Sequence, residues 1–186
     1  MLSIIPILNP QTIADCQRGD PDAQRQLYEH FLPYVAGICR RFNIHSSDLK
    51  DVIQDVFIEV FVSIKNYDAQ RGALKYYIKQ IAVHKILNRL RKRKLRTAPI
   101  EDLPPNREPA ARIDLRTLNT EYLVELIAAL PDGYRTVFNL YVIDGYSHNE
   151  IADLLRISAS ASRSQLSRAR QLLQHQIEAI RRYETK

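Results

Sequence analysis

Asp51, Asp55 and Glu59 recur at intervals of four. In a helix this spacing puts three carboxylates on one face, where neighbouring like charges destabilise each other by a few tenths of a kcal/mol per pair. A cationic partner would relieve that repulsion, although a merely solvated acidic face is the plainer account. No metal chemistry suggests itself. His30 and His45 match no common ligand spacing and read as structural or exposed. Cys16 and Cys39, the two cysteines, show no CxxC pattern, so they read as small buried apolar groups in a reducing cytoplasm. With no Gly-rich phosphate loop and no nucleophile constellation, neither catalysis nor a cofactor is expected.

A second grouping is basic. From Ala69 to Ala98 there are ten Lys/Arg and no Asp or Glu, and the run ends NRLRKRKLR. Tyr76 and Tyr77 lie inside it. Cationic side chains hold phosphates and aromatic rings stack on bases, which together favour nucleic acid over an acidic protein. The net charge of +6 is uneven: residues 1–98 hold 16 Lys/Arg against 9 Asp/Glu, and residues 99–186 hold 11 against 12. If about six phosphates were neutralised, affinity would fall as roughly the fifth power of salt concentration.

The third grouping is ISASASRSQLSRAR, residues 157–170, with five serines and three arginines. Ser162, Leu166, Ala169 and Leu173 share one side of a helix, while Ala161, Ser164, Arg168 and Gln171 point away from it. Small polar residues let a backbone approach base edges, and arginine pairs with guanine or phosphate. The stretch therefore reads as a recognition helix and not a tether, with a plain helical hairpin as the alternative.

These groupings need helices to position them. The chain has 186 residues, five glycines, no tryptophan and 45% hydrophobic residues, which suits one or two small helical domains. No apolar run approaches the roughly 20 residues that cross a bilayer, so no membrane insertion is expected. The opening MLSIIPILNP has no basic residue and is broken by Pro6 and Pro10, making a poor signal peptide. After a short N-terminal helix, Asp20-Pro21 starts a second, with the stripe Leu27, Tyr28, Phe31, Leu32, Val35, Ile38, Cys39, Phe42 and a kink expected at Pro33. Another runs from about Asp48 to Lys65, burying Leu49, Val52, Ile53, Val56, Phe57, Val60, Phe61 and Ile64. A further helix covers about Leu74 to Arg93. Lys85 and Arg89 interrupt its apolar stripe, so it reads as basic nearly all round, lying against a ligand and not buried by its own chain.

Thr97 to Arg112 holds four of the nine prolines and reads as a linker, with a reach of about 50–60 Å if polyproline-like. Beyond it come TEYLVELIAAL and DGYRTVFNLYVI. Ser147-His-Asn-Glu150 then forms a capping box, and Ser158 caps the next helix after a turn at Arg156 and Ile157. Two helices joined by a tight turn describe a helix-turn-helix.

At these residues the chain resembles the sigma-70 family of RNA polymerase sigma factors, in the compact extracytoplasmic-function (ECF) group. GDPDAQRQLYEHF, DLKDVIQDVFIEVF and YYIKQIAVHKILNRLRKRK are similar to its second conserved region. LPDGYRTVFNLYVIDGYSHNEIADLLRIS and RSQLSRARQLL are similar to its fourth. The resemblance implies an all-α chain of two small helical domains on a Pro-rich linker. Residues 1–96 would be the region 2 domain, 97–116 the linker, and 117–186 the region 4 domain, a helix-turn-helix of winged-helix-like or homeodomain-like size without strands.

It also implies roles. Asp51, Gln54 and Asp55 match the stretch that docks on the largest catalytic subunit of the polymerase, with Asp in place of Glu at 55. The loop Asn66–Leu74 would hold an extruded base. Arg71, Lys75, Tyr76, Tyr77, His84, Asn88 and Arg91 would bind and melt the −10 element. Tyr77 stands where the group usually has tryptophan, and His84 where it often has asparagine. Ala161, Arg163, Ser164, Ser167 and Arg168 match positions that contact the −35 element. Two departures stand out: Arg156 replaces the usual turn glycine, strained if φ is positive there, and Ala161-Ser162 replaces a usual Thr-Val pair. The implied partners are core RNA polymerase, promoter DNA and, for many members, an anti-sigma factor, which no residue here identifies. Catalysis would belong to the polymerase, and the chain would be cytoplasmic. The alternative is a stand-alone helix-turn-helix regulator that does not dock on core polymerase, which leaves the acidic face and the basic tyrosine helix without a role. A nucleic-acid-processing enzyme is a further rival.

Overall fold

The computed structural model describes residues 8–94 and 120–184. They form eight α-helices, and no strand occurs among the described residues. The chain divides into two units, 1–98 and 99–186. The linker expected at 97–116 lies outside the described residues.

In the first unit α1 spans Pro10–Gln17, α2 Pro21–Arg41, α3 Ser46–Ser63 and α4 Leu74–Lys94. Local chemistry sets their starts. The Asn9 side chain accepts from Gln11 N–H at 2.9 Å ahead of Pro10. The Asp20 side chain accepts from Ala23 N–H at 2.8 Å, and Pro21 takes the first helical position, where its missing donor is not needed. α2 continues through Pro33 to Arg41. It ends at Asn43, whose φ of 52° is a left-handed conformation that asparagine tolerates. The interior comes from most of the expected stripes: Leu27, Phe31, Val35, Ile38, Cys39 and Phe42 of α2 and its end, with Val52, Ile53, Val56, Phe57 and Val60 of α3, are buried. Each such side chain, fully buried, contributes about 1.5–3 kcal/mol. Four residues of those stripes are not buried: Tyr28 is exposed and Leu32, Leu49 and Phe61 are half-buried, because Tyr28, Leu32 and Phe61 line an open groove between the two helices.

The structure corrects the reading of α4. Its own chain buries it: it packs against both α2 and α3, and Leu74, Ile78, Ala82, Val83, Ile86 and Leu87 are buried. The two residues that seemed to break the stripe turn instead to α3. Lys85 Nζ donates to Glu59 Oε2 at 2.9 Å, and Arg89 Nη2 to Asp48 Oδ1 at 2.6 Å. Long basic side chains can lay their stems along an apolar seam and still place the charge at its edge.

In the second unit α5 spans Thr120–Ala129, α6 Asp132–Phe138, α7 His148–Leu155 and α8 Ala159–Glu184, with a π-turn over Asn139–Ile143. α8 is the spine on which α6 and α7 pack. Its Ser162, Leu166, Ala169, Leu173 and Ile177 are buried with Leu130, Val137, Phe138, Leu140 and Ile151. Buried Arg135 closes the C-terminal end of α5. Its Nη1 donates to the Ala128 carbonyl at 2.8 Å and the Leu130 carbonyl at 2.6 Å, and Nη2 pairs with Asp132.

Candidate docking and nucleic-acid interfaces

The three acidic-helix residues Asp51, Gln54 and Asp55 are all exposed on α3. The stacked charge is partly neutralised from inside, because Glu59 and Asp48 are paired with α4. Among the described residues neither Asp51 nor Asp55 forms an ion pair. Both still act on α4: the Asp48 hydrogen bond and charge, and then Asp51 and Asp55, hold Arg89 above its ordinary value. A groove of about 510 Å³ opens between α2 and α3, lined by Tyr28, Ile53, Gln54, Phe57 and Ile58 among others. The sequence reading missed it. Its signal was that VFIEVFVSI is too apolar for one stripe: Ile58 and Val62, four apart and off that stripe, are 52% and 63% exposed.

The segment from Asn66 to Leu74 is braced at several points. Gln17 Nε2 of α1 donates to the Ile64 carbonyl at 3.1 Å and the Tyr67 carbonyl at 2.9 Å. Tyr67 Oη donates to the Gly72 carbonyl at 3.0 Å. Gly72 has φ 145°, a region that side chains disfavour. Arg71 is exposed at the end of a short 3-10 turn, Ala69–Arg71.

On α4, helical register places Tyr77, His84, Asn88 and Arg91 along one side, and the last three are exposed. Tyr77 is different. Its ring packs on Tyr67 with centroids 5.4 Å apart, and its Oη donates to Ser63 Oγ at 2.7 Å. Lys75 and Tyr76 form a separate cluster with Lys79 on the first turns: Tyr76 is 55% exposed, with Lys75 Nζ 4.9 Å and Lys79 Nζ 5.6 Å from its ring centre.

In the second unit the capping box is complete. Ser147 Oγ accepts from Glu150 N–H at 3.3 Å; the Ser147 hydroxyl and then the Ser147 N–H each donate to Glu150 Oε2 at 2.7 Å and lower the Glu150 carboxyl below its ordinary value. Ser158 Oγ accepts from Ala161 N–H at 3.0 Å and starts α8. Arg156 sits at the turn with φ 56° and ψ 48°, so the strain foreseen for a non-glycine residue is present. Arg163 and Ser164 are exposed, and Ala161 and Ser167 are half-buried. Arg168 is not turned outward alone: its Nη1 donates to Tyr134 Oη of α6 at 3.2 Å.

Ser162 is fully buried, and its Oγ lies 2.9 Å from His148 Nδ1, whose ring stacks on Tyr141 at 4.3 Å. A hydroxyl in an otherwise apolar position has thus found a partner on α7. Burial, then the charges of Arg163 and Arg170, lower the His148 pKa, so the fold favours its neutral form. No group of side chains suited to hold a metal ion occurs among the described residues, and no helix among them is long and apolar enough to cross a membrane.

Two family models fall on the two units. Sigma-70 region 2 matches residues 27–96 and Sigma-70 region 4 matches residues 120–173. Together they cover about two thirds of the chain. The chain belongs to the sigma-70 family of RNA polymerase sigma factors, within its ECF group. It is 28% identical over 181 residues to the ECF RNA polymerase sigma factor SigW of Bacillus subtilis, covering 89% of this chain and 94% of that protein. It is likewise 28% identical over 181 residues to the ECF RNA polymerase sigma-E factor of Haemophilus influenzae, covering 88% and 92%. The solved structure of CnrH in complex with the cytosolic domain of CnrY has the same fold, with a TM-score of 0.50 at 22% identity over 91% of this chain and 96% of that one.

Proposed function

We propose that this chain docks on core RNA polymerase through the exposed acidic face of α3 and directs it to promoters, gripping one DNA element with each unit. Asp51, Gln54 and Asp55 would meet a basic surface on the polymerase. Arg71, Lys75, Tyr76, Tyr77, His84, Asn88 and Arg91 would bind and open the −10 element, with residues 1–96 acting as that module. Arg163, Ser164, Ser167 and Arg168, with the backbone at Ala161, would lie against the −35 element, with 117–186 as the second module. The observation that carries the reading is a region 2 match and a region 4 match in order on one chain, the first with two exposed carboxylates flanking Gln54. The chain would contribute no chemistry of its own, since nucleotidyl transfer is the work of the polymerase. The same reading puts it in the bacterial cytoplasm and leaves room for an anti-sigma factor, which no residue here identifies. A stand-alone regulator would leave the region 2 unit without a task.

Reconstitution tests this. The purified chain added to core polymerase at low salt should give run-off transcripts from defined starts. Asp51→Arg combined with Asp55→Arg should remove polymerase binding while leaving the helical circular dichroism unchanged. Undiminished binding by the double variant would refute the docking assignment, and a wild-type chain that confers no start-site selection would refute the function.

A further inference from the structure

Ser162 stands where the family usually has valine, and the hydroxyl it brings is fully buried on α8. Its neighbours in sequence, Ala161 and Arg163, are residues proposed to meet the −35 element. The Ser162 Oγ lies 2.9 Å from Nδ1 of His148, the first residue of α7. The imidazole is itself laid flat on Tyr141 of the π-turn, with ring centres 4.3 Å apart and planes 20° from parallel. One polar contact thus joins the two helices of the helix-turn-helix at the end of α8 that would read DNA.

We propose that His148 is a positioning residue for promoter recognition: through Ser162 it fixes the DNA-reading end of α8 against α7, and it does so as the neutral imidazole. The proposal rests on the reading that α8 lies against the −35 element. A hydrogen bond is directional where an apolar contact is not. It therefore sets the rotation of α8, and with it the direction in which Arg163 and Ser164, one and two residues along, project. The charge state follows from what surrounds the ring. α7 packs against α8 and the π-turn. Burial, then the charges of Arg163 and Arg170 on α8, lower the His148 pKa, while the π-turn offers the Tyr141 ring. Protonation would add a third positive charge there, at the N-terminus of α7, where the helix dipole also opposes it. An imidazolium also cannot accept the Ser162 proton, because both its nitrogens donate. With the folded pKa lowered, this contribution is complete above the ordinary histidine value and is lost as pH falls through the folded one.

The test uses the full chain with core polymerase and duplexes carrying a promoter located by mapping transcript starts, its −35 element intact or scrambled. At about pH 7.5, above the ordinary histidine value, Ser162→Val should weaken binding to the intact duplex by about 2- to 10-fold, the worth of one hydrogen bond. Valine is the residue the family usually carries there, so this substitution does not threaten the fold. His148→Phe, which keeps a ring on Tyr141, should cost a similar factor, and the two together no more than one alone, because each removes the same contact. Lowering the pH to about 5.5 should weaken the unaltered chain by about 2- to 10-fold more than His148→Gln, whose amide still reaches Ser162 and stays uncharged. None of these differences should appear on the scrambled duplex. Additive losses, equal losses on the scrambled duplex, or parallel pH profiles for the unaltered and His148→Gln chains would each overturn the proposal. Should the unaltered chain select no start site, the sigma-factor reading falls and takes this one with it. If it selects starts while the pH profiles stay parallel, only the His148 assignment falls.

Discussion

Arg156 is where one side chain works against the backbone. Its φ of 56° and ψ of 48° are left-handed, a conformation that costs an L-residue roughly 1–2 kcal/mol. Glycine would remove that strain but would forfeit about 0.5–1 kcal/mol through the added freedom of the unfolded chain. The balance lies between about 0 and 1.5 kcal/mol in favour of glycine. Arg156→Gly should therefore raise the urea midpoint of α7 and α8, followed by hydrogen exchange at their amides, and Arg156→Ala should not. If the Arg156 charge lies beside DNA, the Arg156→Gly variant should also bind promoter DNA less tightly. The other departure, Ser162, carries no such penalty, because His148 satisfies its buried hydroxyl.

Among the helices, α4 shows how packing and charge divide their tasks. Lys85–Glu59 is a partly exposed pair, and such pairs contribute about 0.2–1 kcal/mol. Ile86, one residue along, is fully buried, and truncating a side chain of that kind costs about 2–5 kcal/mol. Apolar packing thus holds α4 in place, while the ion pairs choose its rotation against α3. Ile86→Ala should lower the stability of the first unit by about 2–5 kcal/mol in chemical denaturation. A Lys85→Gln, Glu59→Gln double-mutant cycle should return a coupling below about 1 kcal/mol. A coupling equal to the Ile86 loss would reverse that ranking. The pairs also bear on function, since they join the helix proposed to dock on the polymerase to the helix proposed to open DNA.

At the scale of the whole molecule, the basic residues concentrate in the first unit, 16 against 9 acidic over residues 1–98. With about six phosphates neutralised, the affinity of the chain bound to core polymerase for promoter DNA should fall as about the fifth power of salt concentration. A slope near zero between about 50 and 200 mM salt, measured by fluorescence anisotropy, would contradict an electrostatic grip. Much of the architecture was legible without coordinates. The capping signals at Asp20, Ser147 and Ser158 recur in the structure, and so do the stripes of α2, α3 and α8 apart from Tyr28, Leu32, Leu49 and Phe61. The candidate site was legible in part: Asp51, Gln54, Asp55, Arg163 and Ser164 are exposed as expected, whereas Tyr77 and Arg168 are engaged by Ser63 and Tyr134.

The division has a physical cause. Caps, helical periods and runs of charge act over a few residues, so the amino-acid order alone determined where helices begin, which stripe turns inward and which segments are basic. A helix, however, presents its whole circumference, and residues at the margin of its stripe go wherever a neighbouring helix offers a partner. Only tertiary packing decided that Lys85 and Arg89 face α3, that Ile58 and Val62 remain outside the core, and that Tyr77 is engaged by Tyr67 and Ser63 while Tyr76 stays exposed. Those outcomes depend on contacts between residues far apart in the chain, such as Arg89 with Asp48 or Gln17 with Tyr67, and no local pattern encodes them.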